Sequence, residues 1–305
     1  MSIVSSPSYL FDDLPGYSFQ PNYVEVNDNS VYDDSSVKMH YVDYGEKNKP
    51  IIMMLHGEPT WSYLYRNLII DAEQAGFRVI APDLIGFGKS DKYITQDAYT
   101  YANHLEWLTQ FLTKLQLKNI RLICQDWGGL LGLRLVAQFP DLFSAVVTAN
   151  TMLPTGDHKP PQAFLEWQQY SQTSSNFDIG GIIQRGTHKE LIEEVLAAYR
   201  APFPLESHKA GVRKFPMLVP ISPNDPESAN NRQAWQSLSQ FKKPFLTLFS
   251  DQDPVTKGGE KIFQKLVPGC KGQNHKILQD GGHFLQEDCS KELIQLSTKF
   301  FNENI

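Results

Sequence analysis

Asp126 is the side chain in this sequence best placed to do chemistry. It stands in Cys124-Gln125-Asp126-Trp127-Gly128-Gly129, after the apolar run Ile120–Ile123 and before a segment whose leucines recur at helical spacing. A tight turn from strand to helix pushes its central side chain up at the sheet edge, and small neighbours prevent clashes there. A carboxylate at a helix N-terminus is stabilised by free N–H groups and the macrodipole, so Asp126 needs no base to activate it. It gains little by attacking an ester or amide carbonyl. It can, however, displace a leaving group at a saturated carbon and form a covalent alkyl ester, which favours alkyl halides or epoxides over peptides or lipids. The plainer alternative for an aspartate at this position is a helix N-cap.

Partners for such a nucleophile lie further along the chain. Of the eight histidines, His283 alone sits in a glycine turn, Asp280-Gly281-Gly282-His283-Phe284, where flexible neighbours let the ring reach a site at the strand tops. Ser250-Asp251-Gln252-Asp253-Pro254-Val255 follows another apolar run and supplies an acid. Asp253 is the choice and Asp251 the rival, and either could be a turn residue only. Nucleophile, acid and histidine then occur in the chain order of the α/β-hydrolase fold. In that fold one oxyanion N–H comes from the loop after an early strand and another from the residue following the nucleophile, which assigns the donors to the backbones of Glu58 and Trp127. His56 in the same loop, Leu55-His56-Gly57-Glu58-Pro59-Thr60-Trp61, is read as a structural histidine.

These residues need a sheet beneath them. From about Val31 onward short apolar runs alternate with amphipathic segments, the pattern of a mainly parallel sheet flanked by helices. Strands are predicted at Pro50–Leu55, Arg78–Pro82, Asn119–Gln125, Ala145–Ala149, Pro244–Phe249 and Lys276–Leu278. Val37–Tyr44 alternates and reads as an antiparallel edge strand, making the sheet mixed. Leu105, Leu108, Phe111, Leu112 and Leu115 form one helical packing stripe, and Leu130, Leu133, Leu135 and Val136 another. Between Pro154 and about Ala229 the strand rhythm stops, and amphipathic pieces such as Lys189–Tyr199 take over. The expected organisation is a core of residues 1–154 and 230–305 interrupted by a helical cap domain, 155–229.

Composition narrows the classes. In 305 residues, 41% are hydrophobic and 20% charged, enough apolar material for a buried core. The net charge of −6 includes no dense basic block, which excludes the electrostatic footprint of a nucleic-acid binder. Cys124, Cys270 and Cys289 are scattered and odd in number, suggesting neither a disulfide framework nor a zinc site. The N-terminus lacks a signal-like apolar stretch, and no apolar run approaches the roughly 18 residues of a membrane span. A cytoplasmic protein without membrane, metal or organic cofactor is expected, as a monomer rather than an oligomer.

Several blocks together resemble the haloalkane dehalogenases of the α/β-hydrolase superfamily, over nearly the whole chain. They are His56-Gly57-Glu58-Pro59-Thr60-Trp61-Ser62-Tyr63-Leu64-Tyr65-Arg66, Gly86-Phe87-Gly88-Lys89-Ser90-Asp91, Gln125-Asp126-Trp127-Gly128-Gly129 and Gly282-His283-Phe284. Ala201-Pro202-Phe203-Pro204 and Gly211-Val212-Arg213-Lys214-Phe215-Pro216 look similar within the insertion. The resemblance implies an eight-stranded, mostly parallel sheet and a small haloalkane substrate cleaved to an alcohol, a halide and a proton. It also implies a halide-binding pair, with Trp127 as one member and Trp167 as the matching cap tryptophan; the competing role for Trp167 is packing. Two indole N–H donors converging in an apolar pocket hold a departing halide without protonating it. Some subfamilies carry a glutamate acid after the strand before the cap. This chain has Asn150 there, so the resemblance is to the subfamily I type, whose acid follows the later strand, here Asp253. An epoxide hydrolase using Tyr170 or Tyr199 as proton donor, and a ligand receptor on the same fold, are the alternatives.

Overall fold

The computed structural model describes residues 2–27 and 36–304; Val31, where the strand rhythm was expected to begin, lies outside them. Eight strands form one sheet: β1 (Asn22–Asn27), β2 (Ser36–Tyr44), β3 (Ile51–Leu55), β4 (Arg78–Pro82), β5 (Ile120–Gln125), β6 (Phe143–Ala149), β7 (Phe245–Ser250) and β8 (Lys276–Leu278). Their order across the sheet is β8-β7-β6-β5-β3-β4-β2-β1. Pairing is parallel from β8 to β4 and antiparallel for β4 with β2 and β2 with β1. Every residue of β5 and β7 is buried, as expected of central parallel strands covered on both faces.

One strand expectation needs correction. Val37–Tyr44 does pair antiparallel, but it is not the edge, because β1 lies outside it in register from Asn22↔Tyr41 to Asn27↔Ser36. Only Val26 of β1 is buried, so the strand carries too weak an apolar alternation to stand out locally.

Both leucine stripes lie on core helices. Tyr101–Lys114 starts with Thr100 accepting the Asn103 N–H at 3.0 Å and buries Leu105, Leu108, Phe111 and Leu112. Leu115 caps its C-terminal end and packs against the core. Trp127–Gln138 buries Leu130, Leu133, Leu135 and Val136.

The segment between β6 and β7 is helical: Gln162–Thr173, Ile179–Gly186, Glu193–Arg200, Ala210–Leu218 and Ser228–Leu238. The last of these packs back on helix Trp127–Gln138, where Arg134 bonds both Glu227 and Asn231. Helix Glu193–Arg200 and the segment following Ile179–Gly186 are tied to the core by polar contacts. Glu287 receives two bonds from Arg66, at 2.5 and 2.8 Å, and one from the Tyr199 hydroxyl. Asp288 receives the N–H groups of His188 and Lys189, each at 2.9 Å.

Asp83, at the end of β4, organises two neighbouring loops. Its buried carboxylate accepts the N–H of Ser62 at 2.7 Å and of Lys89 at 2.8 Å, with His40 Nδ1 also at 2.8 Å. Burial alone would raise its pKa, but His40, His56 and the Lys89 N–H hold it down, from an ordinary 3.8 to about 2. The unfolded chain therefore takes up this proton first, and the stabilisation present above about pH 4 is lost as pH falls towards about 2. Asp83→Asn should flatten the pH dependence of stability in that window, measured by denaturant unfolding; an unchanged slope would contradict this.

Candidate active site

Asp126 occupies the turn between β5 and helix Trp127–Gln138 with φ 52° and ψ −127°, a strained backbone for a non-glycine residue. Its neighbours must be small. A Cβ on Gly57 would lie 2.2 Å from Asp126 Oδ1, one on Gly128 2.0 Å from the Leu55 carbonyl, and one on Gly129 1.9 Å from Thr151 Oγ1. The turn is fixed by the Asp126 N–H donating to the Asn150 carbonyl at 3.0 Å and by Thr151 Oγ1 donating to the Asp126 carbonyl at 2.7 Å. Asp126 makes no side-chain cap to its helix. The N-cap alternative therefore fails as an account of why an aspartate stands here.

Its side chain instead faces the loop after β3. Asp126 Oδ1 accepts the Glu58 N–H at 2.7 Å, and Oδ2 lies 3.5 Å from His283 Nε2. The Trp127 N–H is the first of its helix and has no intrahelical acceptor. On the far side of the ring, His283 Nδ1 meets Asp253 Oδ2 at 3.0 Å. Asp253 is fully buried and held by the Val255 N–H at 2.9 Å and the Thr256 hydroxyl. Burial works against its charge, but His283 and these donors keep its pKa below the ordinary carboxylate range. Burial likewise disfavours a charged His283, yet Asp253 and Asp126 outweigh it and raise the ring well above 6.5. Asp251, the rival acid, bonds the Gly281 N–H at 3.3 Å and makes no bond to His283.

Glu58, singled out only for its backbone, also brings its carboxyl here. Burial first, then the Asp126 charge, push its pKa well above the ordinary range, while His283 and a bond from Trp167 pull the other way. Its Oε1 is buried without a partner. His56 is scaffolding: Nδ1–H donates to the Gly57 carbonyl and Nε2 accepts the Leu84 N–H, both at 2.9 Å. Asn150 bonds Ser250 and the carbonyls of Gly282 and His283 at 2.7, 2.9 and 3.1 Å. No spacing rule could have given Asn150 this role, because its partners come from the end of β7 and from a distant loop.

Asp126, Trp167 and His283 line a cavity of about 510 Å³ together with Tyr170, Ile182 and Val255. Behind it, a space of about 30 Å³ is bounded by Glu58, Asp126, Trp127, Phe164, Trp167 and Pro216, room for one small ion or water. Trp127 packs on Phe215 at 4.5 Å and Tyr101 at 5.2 Å, and Trp167 stacks on Phe177 at 5.7 Å. A separate apolar cavity of about 330 Å³ near Met152, Trp235 and Phe263 contains none of Asp126, Asp253 or His283. The Tyr170 hydroxyl donates to the Asn176 carbonyl at 3.3 Å, and that of Tyr199 to Glu287. Neither is turned to Asp126. Trp61 is buried with its N–H on the Ala198 carbonyl at 3.2 Å. Among the described residues, no group of three or more His, Cys, Asp or Glu side chains could hold a metal ion, and no helix is long and apolar enough to cross a membrane.

An aspartate on a strained strand-to-helix turn, backed by a histidine and a second aspartate above an eight-stranded sheet, is the arrangement of an α/β-hydrolase. A family model described as alpha/beta hydrolase fold matches residues 50–289. The chain is 51% identical over 304 residues to a haloalkane dehalogenase of Psychrobacter cryohalolentis, covering 100% of this chain and 99% of that one. It is 43% identical to a haloalkane dehalogenase of Mycobacterium marinum, covering 97% and 98% of the two chains. A solved tetrameric haloalkane dehalogenase from Paraglaciecola agarilytica superimposes with a TM-score of 0.88 at 32% identity, covering 98% of this chain and 97% of that one. The chain belongs to the haloalkane dehalogenases.

Proposed function

We propose that this protein hydrolyses carbon–halogen bonds of small haloalkanes, releasing an alcohol, a halide and a proton, with Asp126 as nucleophile. One observation carries the reading: an Asp126 carboxylate fixed between the Glu58 N–H and His283, facing a cavity that Trp167 also lines. Asp126 attacks the halogen-bearing carbon in line, forming an alkyl ester as halide departs into the space between Trp127 and Trp167. Their indole N–H groups suit an anion that needs no proton. Burial and the Asp126 charge push the Glu58 pKa up, which lessens the repulsion its carboxyl offers that halide.

Esterification removes the Asp126 charge, one of the two that hold the His283 pKa up. The ring then becomes a base, oriented by Asp253, and takes a proton from water as that water attacks the ester carbonyl carbon. The N–H groups of Glu58 and Trp127 receive the resulting oxyanion, and its collapse frees the alcohol. An epoxide hydrolase would need an acid for its alkoxide, and the bonds of Tyr170 and Tyr199 argue against either tyrosine in that role. A receptor would have no use for the Asp126, His283 and Asp253 set.

Residues 155–229 act as the cap over a core of 1–154 and 230–305; helix Ser228–Leu238 crosses that boundary and packs with the core. We place the protein in the cytoplasm, where its three free cysteines would stay reduced. It works as a monomer, although one structural relative is described as tetrameric. The direct assay is incubation with 1-bromobutane, following bromide and acidification. Equal release of both is expected from the parent and none from Asp126→Ala; bromide release by Asp126→Ala would refute the role given to Asp126.

A further inference from the structure

Gln125 ends β5 directly before Asp126 and is fully buried. Its side-chain nitrogen makes two hydrogen bonds, and both go to residue 283: to the imidazole Nε2 at 3.1 Å and to the main-chain carbonyl at 3.1 Å. Its oxygen is buried without a partner. Asn150 shares the His283 carbonyl, at 3.1 Å, but does not bond the ring. Gln125 is thus placed to fix the backbone and the reacting nitrogen of one histidine together.

The charged and titratable groups facing that ring are Asp253, Asp126 and Glu58. Asp253 accepts from Nδ1–H and so commits one proton to that side. Nε2 then has two competing neighbours. A carboxylate at Asp126, 3.5 Å away, can only accept, whereas an amide nitrogen can only donate. Asp126 favours a protonated Nε2, and Gln125 favours a bare one. Once Asp126 is an ester, the first preference weakens and the second remains.

We propose that Gln125 is a positioning residue that selects the proton-free form of His283 Nε2, aiming its lone pair for the water-activating half of the reaction. The inference rests on the dehalogenase reading above. In the step it serves, the water oxygen bonds to the ester carbonyl carbon while its O–H bond breaks, and the proton passes to Nε2 as the Gln125 amide releases it. Collapse of the tetrahedral intermediate breaks the bond to the alkyl oxygen, the proton leaves Nε2 for the alcohol, and the Asp126 carboxyl, now carrying the oxygen of that water, loses its own proton to solvent and is a carboxylate again.

Rapid-quench measurement with 1-bromobutane separates the two half-reactions. Gln125→Met and Gln125→Glu are each expected to release about one bromide per site at a rate within about threefold of the parent, because Asp126 needs no base. Ester hydrolysis near neutral pH should slow by about tenfold or more in both. Its pH midpoint should rise by about one unit in Gln125→Met and further in Gln125→Glu, whose carboxylate accepts from a protonated Nε2, so that high pH restores the rate. Equal slowing of both half-reactions, or unmoved midpoints, would overturn the proposal. Titration of ¹⁵N-labelled His283 by NMR needs no turnover: a higher pKa in Gln125→Glu supports the proposal and an unchanged one overturns it. Absence of bromide release by the parent would instead overturn the dehalogenase reading.

Discussion

His283→Phe should release one equivalent of bromide per site at close to the parent rate and then stop. The histidine is not needed to expel the halide, since Asp126 is already a nucleophile and the halide leaves as a stable anion. Water attacking the ester, in contrast, must lose a proton as it bonds, and the other groups around Asp126 are poorly suited to take it. Glu58 is pushed towards its neutral acid by burial and by Asp126, and Asp253 stands on the far side of the ring. Steady-state turnover should therefore fall by on the order of 10³-fold, with the burst intact. Stopped-flow halide detection distinguishes this from a general loss of activity. A variant that loses burst and turnover together would place His283 in the first half-reaction and contradict the division of labour proposed above.

Glu287→Ala should destabilise the fold strongly, and more than removal of the tyrosine hydroxyl it accepts. Its carboxylate is buried with Arg66, which is itself 6% exposed, and it also receives the hydroxyl of Tyr199 from helix Glu193–Arg200. Burial would lower the Arg66 pKa, but Glu287 and the surrounding groups keep it charged. Removing the carboxylate leaves a buried cation unpaired and a buried hydroxyl without its acceptor, an expected cost of roughly 3–5 kcal/mol. Tyr199→Phe deletes only one bond to a charged group and should cost about 1.5–3 kcal/mol. Guanidinium unfolding curves of both variants measure the difference. A loss below about 1 kcal/mol for Glu287→Ala would mean that Arg66 finds water or another partner.

How much of this was legible depended on whether the signal was local. Strands β3 to β7 are mainly apolar runs, and their ends agree with the sequence reading to within a residue or two. β1 was missed because its contribution to the core is one buried valine and its identity lies in pairing with β2. The inserted segment gave no strand rhythm, which located it, but its last helix packs on the core and so blurs the boundary. Asp126 and His283 stood out through their glycine neighbours, a steric requirement written next to them in the chain. The preference for Asp253 over Asp251 had no local signal to decide it, since both follow the same strand, and its physical basis is the turn of Val255 and Thr256 around the carboxylate. The hydrogen-bonding roles of Gln125 and Asn150 and the place of the Glu58 carboxyl could not be read, since their partners are 100 or more residues away or their environment is created by burial.

Whether the oxygen delivered to substrate carbon comes from Asp126 or from water is open to one decisive measurement. A single turnover in ¹⁸O-labelled water, with enzyme in excess over 1-bromobutane, should yield unlabelled butanol and place the label in the peptide that carries Asp126. Labelled butanol with an unlabelled Asp126 would mean that water attacks the halide directly, and would contradict a covalent ester on Asp126.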